Sequence, residues 1–280
     1  MVTADPTVAI EKLLSGSPGR VALVVEADGF SYRRDADEVF ASASVIKLPI
    51  LLAVLDEARR GGVSLDEEFA LPRGRAVGGA GLIEFLHEGA VLTLGDLLLF
   101  MICLSDNAAT NLVIERFGMD RLNGYWTNLG LKVTGLRRLM MDKEARLAGR
   151  ENTISAAEVQ FLLGELAHPR AIDVDIAQQA VTLLARQQFT AGLGFFLPEA
   201  RVAHKTGELE GLFHDVGIID GDSGGAPSII YTFLSDGATN VGDSQVLAGR
   251  IGRLVYGLTR DGLSRNDLES DDAAEKGGVE

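Results

Sequence analysis

The spacing of apolar and polar positions changes period twice along this chain. Short apolar runs bounded by turn residues come first, at Arg20 to Glu26 and Phe30 to Arg33, and predict a hairpin joined through Ala27-Asp28-Gly29. Three more predicted strands come late, at Arg201 to Glu208, Phe213 to Asp220 and Ser228 to Leu234, followed by a helix from about Asp243 to Leu258. Short turns join the late strands, so the expected sheet is antiparallel. Between these ends the apolar positions recur at helical spacing, near 44 to 60, 93 to 104, 108 to 117, 120 to 129, 155 to 167 and 173 to 187. Thr93-Leu94-Gly95-Asp96 has the form of an N-terminal cap. The expected fold class is α/β (α+β): an antiparallel sheet built from N- and C-terminal strands, flanked by helices, plus an all-helical subdomain. Residues 1–43 and 193–263 form the discontinuous α/β part, 44–192 the helical part, and 264–280 a disordered acidic tail with little to bury. A cleft is expected where the two parts meet.

Composition narrows the partners. With 280 residues and 46% of them apolar, the chain has enough to build a sizeable core. The net charge of −14 repels phosphate backbones and anionic lipid, so nucleic acid is not an expected partner. No apolar stretch reaches the roughly 18 residues that a membrane span needs. The first residues carry Asp5 and no apolar core of a secretory leader, so the chain as written stays inside the cell, unless a leader was trimmed and it works in the periplasm or outside. Cys103 is the single cysteine; it rules out an internal disulfide and reads as a small buried apolar residue. A monomer is expected.

Three short motifs carry candidate chemistry. Ser44-Val45-Ile46-Lys47 places a hydroxyl three positions before an amine, and on a helix such residues share a face. An alcohol beside a desolvated lysine is a nucleophile with its base attached, although the motif alone is weak and an ordinary surface pair reads the same way. Ser105-Asp106-Asn107 sits between two apolar helices, where the plain reading is a helix cap. Lys205-Thr206-Gly207 lies on a predicted strand, where a lone lysine usually guards an edge.

In this order and on these elements, the three together resemble the class A serine β-lactamase and penicillin-binding protein superfamily, whose S-x-x-K, S-D-N and K-T-G motifs they match. Supporting stretches are Val77-Gly78-Gly79-Ala80-Gly81-Leu82, Leu92 to Leu98, and the run from Ser105 to Gly118, so the likeness covers nearly the whole globular part. It implies that Ser44 attacks an acyl carbon and that Lys47, Ser105 and Lys205 complete the catalytic set. Lys47 can take the proton only if neutral, which calls for burial and a nearby cation; Lys205 is the natural candidate, so a depressed Lys47 pKa is expected. By resemblance, Ser105 relays a proton to the substrate nitrogen, and Asn107 holds the Lys47 amine and a substrate amide. The backbone N–H groups of Ser44 and Glu208 form the oxyanion hole, Thr206 and Lys205 bind a carboxylate, and Gly207 leaves room for the acyl chain.

Two features depart from the family. The glutamate followed four residues later by asparagine, which holds the deacylating water in class A enzymes, has no match between Arg137 and Asn152: Glu144 is followed at that spacing by Ala148, and Glu151 by Ser155. Asp142 or Glu144 could swing in as a substitute base, but the favoured reading is of exposed loop carboxylates paired with Arg137, Arg138 or Arg146. The arginine that helps bind carboxylates beyond K-T-G is also missing; His214 and Asp215 stand on that strand, while His204 should by alternation face away from the site. Three functions stay open: a β-lactamase, a D-alanyl-D-alanine peptidase or esterase acting on an acyl-D-amino-acid peptide or ester, and a penicillin-binding protein that acylates with little turnover. No cofactor is implied, and His87, His168, His204 and His214 show no metal-ligand spacing.

Overall fold

Alternation along the first strand sorts its side chains into two cores. Val21, Leu23 and Val25 join one, Ala22 and Val24 the other, and all five are buried. The computed structural model describes residues 6–71, 77–198, 200–220 and 229–261; the acidic tail expected at 264–280 lies outside them. From its start the described chain forms α1 (Pro6–Leu14), β1 (Arg20–Ala27), β2 (Phe30–Arg34), β3 (Phe40–Ala41), a 3-10 turn (Ala43–Ile46) and α2 (Lys47–Arg59). Next come β4 (Glu68–Ala70), a 3-10 turn (Ile83–Phe85), β5 (Val91–Thr93), α3 (Leu94–Cys103), α4 (Asn107–Phe117), α5 (Met119–Asn128), α6 (Lys143–Leu147) and β6 (Thr153–Ile154). The rest holds α7 (Ala156–Ala167), α8 (Val174–Leu184), α9 (Leu193–Phe196), β7 (Arg201–Leu209), β8 (Leu212–Asp220), β9 (Ile229–Asp236) and α10 (Val241–Asp261).

The main sheet has the order β2-β1-β9-β8-β7 with every neighbouring pair antiparallel, so strands from the two chain ends make one sheet, as the pattern predicts. One face packs on α1, α9 and α10, burying Ile10, Leu14, Leu193, Ile251 and Val255 against Leu23, Tyr231 and Phe233. On the other face α7 and α8 pack against the strands, and behind them α2, α3 and α4 extend the larger core. Such fully covered strands explain why the late runs are continuously apolar. Deleting one of these side chains, as in Phe233→Ala, costs about 3–5 kcal/mol. Among the described residues no helix is long and apolar enough to cross a membrane.

Helix boundaries follow local chemistry. At α3, Thr93 and Asp96 form a reciprocal capping box, with Asp96 N donating to Thr93 Oγ1 at 3.1 Å and Thr93 N to Asp96 Oδ2 at 2.9 Å. Three helices and two ribbons carry no clear periodic signal: α1, α6, α9 and the two-stranded ribbons β3-β6 and β4-β5. All are short, and α1 buries only Ile10 and Leu14, leaving Val8 exposed. Sheet order leaves β7 at the edge, with the 3-10 turn at Ala43–Ile46 packed against it.

Candidate active site

Ser44 lies on a 3-10 turn rather than on the helix expected from the sequence; α2 starts only at Lys47. The tighter turn improves the alignment, because side chains three apart eclipse in a 3-10 helix. Lys47 Nζ stands 3.0 Å from Ser44 Oγ. Ala43, just before the nucleophile, is held at φ +44, a left-handed conformation that costs energy for a residue with a Cβ.

The second segment supplies a cap and two site residues. Asp106 does what the plain reading says: its Oδ1 accepts from Ala109 N at 2.8 Å and caps α4. Its other oxygen accepts from Leu82 N at 2.6 Å and Ile83 N at 2.9 Å, tying the glycine-rich stretch to the helix. Ser105 sits at φ +52 in the break between α3 and α4. There its hydroxyl is 3.0 Å from Lys47 Nζ, and its carbonyl accepts from the same nitrogen at 2.6 Å. Asn107 Oδ1 accepts from Lys47 Nζ at 2.9 Å, as expected, while its Nδ2 donates to Gly78 O at 2.9 Å rather than standing free. A Cβ on Gly79 would come within 2.6 Å of that Nδ2, and one on Gly81 within 2.6 Å of Asp106 Oδ2. The glycines therefore let the backbone close over this motif, a role that only their clustering signals in the sequence.

Edge strand β7 brings the third segment. Lys205 Nζ donates to Ser105 Oγ at 3.1 Å and to Thr206 O at 2.8 Å, so the Ser105 hydroxyl lies between two lysine nitrogens. Gly207 is needed for a different contact from the one expected. A Cβ there would meet Ala43 Cβ at 3.1 Å, Ser44 N at 3.2 Å and Val45 Cγ2 at 3.2 Å, so the glycine admits the nucleophile turn to the strand. Thr206 pairs in register with Asp215, and Glu208 with Phe213. The Glu208 carboxylate is exposed and accepts from Gln245 Nε2 of α10 at 3.2 Å; only its backbone remains for the site.

Burial sets the electrostatics. Lys47 and Lys205 are both fully buried. Desolvation first, and then the Lys205 charge, holds Lys47 well below the ordinary lysine range, against a weaker upward pull from Asp106. Lys205 is pulled down to about 7, mainly by desolvation, with Asp215 opposing. Lys47 is thus the amine most ready to be neutral, as the sequence predicts.

Two histidines on the sheet, His204 and His214, are buried among polar partners. His204 faces away from Ser44, as alternation predicts, and its Nδ1 pairs with the buried Asp215 Oδ1 at 2.7 Å. Asp215 Oδ2 also accepts from Leu193 N at 2.8 Å, which anchors α9. His214 is fully buried against Ala41 O, Phe213 O and Ser235 N. Among the described residues no group of His, Cys, Asp and Glu is placed to hold a metal ion.

Residues 137 to 152 run differently from the ion-pair reading of Asp142 and Glu144. Glu151 takes the arginines, 2.6 Å from Arg138 and 3.4 Å from Arg146, while the Asp142 carboxylate caps α6 and Glu144 is exposed. Met141, at φ +62, packs beside the glycine-rich stretch: a Cβ on Gly79 would lie 3.4 Å from its sulfur. Among the described residues no carboxylate of this segment hydrogen-bonds Ser44 or Lys47.

Known proteins resemble this chain in sequence and fold. A family model described as the beta-lactamase enzyme family matches residues 5–259. Beta-lactamase L2 of Stenotrophomonas maltophilia is 27% identical over 268 residues, which cover 91% of this chain and 85% of that protein. A beta-lactamase structure from Sphaerobacter thermophilus superposes with a TM-score of 0.83 at 27% identity, covering 92% of this chain and 98% of that one. The ancestral class A beta-lactamase GNCA superposes with a TM-score of 0.79 at 27% identity, covering 90% and 99%. Because the matched span takes in all three motif segments, the chain belongs to the beta-lactamase enzyme family and is a serine hydrolase of that kind.

Proposed function

We propose that this enzyme opens β-lactam rings through an acyl intermediate on Ser44 and releases the product by hydrolysis. The observation that carries the reading is the buried Lys47 nitrogen, 3.0 Å from both the Ser44 and the Ser105 hydroxyl oxygens. Neutral Lys47 takes the Ser44 proton as Oγ attacks the lactam carbonyl. The proton passes through the Ser105 hydroxyl to the ring nitrogen as the C–N bond breaks, and Lys47 is neutral again. The N–H groups of Ser44 and Glu208 stabilise the oxyanion, a kind of contact whose loss typically costs ~10²–10³ in rate. Lys205 and Thr206 receive the substrate carboxylate at the strand edge, where β7 offers its free backbone to an extended acyl chain. Lys47 is then the base at hand for the deacylating water.

A second reading is a penicillin-binding protein whose adduct persists. It is favoured by the 137–152 segment, where among the described residues no carboxylate hydrogen-bonds Ser44 or Lys47 and the Met141 thioether packs beside Gly79. Intact mass against time after mixing with benzylpenicillin separates the two. Hydrolysis returns the protein to its free mass while penicilloate accumulates, whereas a lasting adduct on Ser44 supports the second reading. Ser44→Ala is expected to form no adduct; an adduct in that variant sinks both. Glu144→Gln is expected to turn over at the parent rate, because Glu144 is exposed and bonded to neither Ser44 nor Lys47. A chain that ignores β-lactams but cleaves acyl-D-alanyl-D-alanine peptides or esters is the peptidase or esterase left open by the sequence.

A further inference from the structure

His214 belongs to no motif, yet it touches the chain just before the nucleophile. It lies opposite Gly207 in the β7-β8 register and is fully buried. Its Nε2 is 2.8 Å from Ala41 O, and its Nδ1 is 3.2 Å from Ser235 N. A backbone N–H can only donate and a carbonyl only accept, so this network assigns the proton to Nε2. Phe213 O also lies 3.0 Å from Nδ1 and accepts from the Ser235 hydroxyl at 2.8 Å, but a proton on Nδ1 instead would set the Nε2 lone pair against Ala41 O. Phe40 meets the imidazole edge to face, with centroids 6.0 Å apart. The N–H of that same Ala41–Ser42 peptide donates to Asn152 O at 2.8 Å. One peptide plane is therefore held from both sides, by the sheet through His214 and by the 137–152 segment through Asn152. Ala43 follows in its left-handed conformation, and then Ser44.

We propose that His214 is a positioning residue for the nucleophile: its Nε2–H grips the Ala41–Ser42 peptide and so sets where Ser44 Oγ stands relative to the acyl carbon. The inference rests on Ser44 being the acylated residue. His214 touches no substrate; it acts through two residues of backbone. A strained turn relaxes when one of its two anchors is cut, and small displacements of a reacting atom cost rate steeply.

The test is single-turnover acylation by benzylpenicillin over a concentration series, which separates the noncovalent dissociation constant from the limiting rate of adduct formation. Glutamine can place its amide N–H near the Nε2 position, asparagine is too short to reach Ala41, and phenylalanine fills the volume without a donor. His214→Phe and His214→Asn are expected to lower the limiting rate at least about tenfold, with little change in the dissociation constant. His214→Gln is expected to recover most of that loss. If the Phe variant does not fold, the Asn and Gln pair carries the comparison, with thermal unfolding measured on both. Parent-like limiting rates in His214→Asn, a Gln variant as slow as Asn, or a loss confined to binding would each overturn the proposal. A parent enzyme that never acquires an adduct on Ser44 overturns it together with the proposed function.

Discussion

Lys47 is surrounded by two carbonyl oxygens that can only accept, Ser105 O and Asn107 Oδ1, and by two hydroxyls that can do either. A neutral amine fits this set: it donates both hydrogens to the carbonyls and keeps its lone pair for a serine O–H. Lys205 has the opposite task, since attraction to a carboxylate needs its charge, and at about 7 it loses that charge within the working range. Acylation in the free enzyme should therefore rise with pH as Lys47 sheds its proton and fall again as Lys205 does. Lys205→Arg keeps a cation far above pH 10, so the alkaline fall should move out of the measurable range while the peak value drops, because a guanidinium is bulkier than an amine. The check is the second-order acylation constant from pH 5 to 10 for both proteins. An unmoved alkaline limb would assign that titration to another group.

At the scale of elements, the site depends on the close approach of β7 to the turn that carries Ser44. Gly207→Ala puts a methyl 3.1–3.2 Å from Ala43 Cβ, Ser44 N and Val45 Cγ2, so the turn must give by a few tenths of an ångström. The expected result is a cooperative fold and acylation slowed by about tenfold or more, since misplacement of a nucleophile costs up to ~10² in rate. Single-turnover kinetics beside a thermal melt decide it, and parent-like acylation would remove the contact from the argument. Much of this framework is legible beforehand. The five strands of the main sheet have strong runs, and Ser44, Lys47, Ser105 and Lys205 announce themselves because short motifs fall on the right elements. The rest depends on tertiary contact. Periodicity cannot tell a 3-10 turn at Ala43–Ile46 from the first turn of α2, and α1 and α6 are too short to show a period. Gly207 and His214 gain their meaning only when β7 and β8 meet a segment more than a hundred and fifty residues earlier, a pairing no local window contains.

For the molecule as a whole, two buried groups, His214 and Lys205, make stability rise with pH. Burial pushes His214 down to about 4, from 6.5 when unfolded. Below pH 6.5 the unfolded chain takes up a proton that the folded one refuses until about pH 4, so stability present above 6.5 drains away through that window. A shift of this size amounts to about 3 kcal/mol for a fully buried group, a large share of the ~5–15 kcal/mol that typically holds a domain together. Lys205 acts with the same sign at higher pH: its folded value near 7 against 10.5 unfolded makes the fold gain stability as pH rises between them. The net charge of −14 works the other way, because protonating surface carboxylates relieves repulsion as pH falls. Acid sensitivity over most of the interval from pH 6.5 to 4 then runs through His214, with the depressed carboxyl of Glu165 joining at its lower end. His214→Gln, which does not titrate, should flatten the curve of unfolding free energy over that interval and leave the rise above pH 7 in place, as read from urea unfolding at a series of pH values. A variant that loses stability on acidification as steeply as the parent would show that the imidazole between Ala41 and Ser235 is not the group taking up the proton.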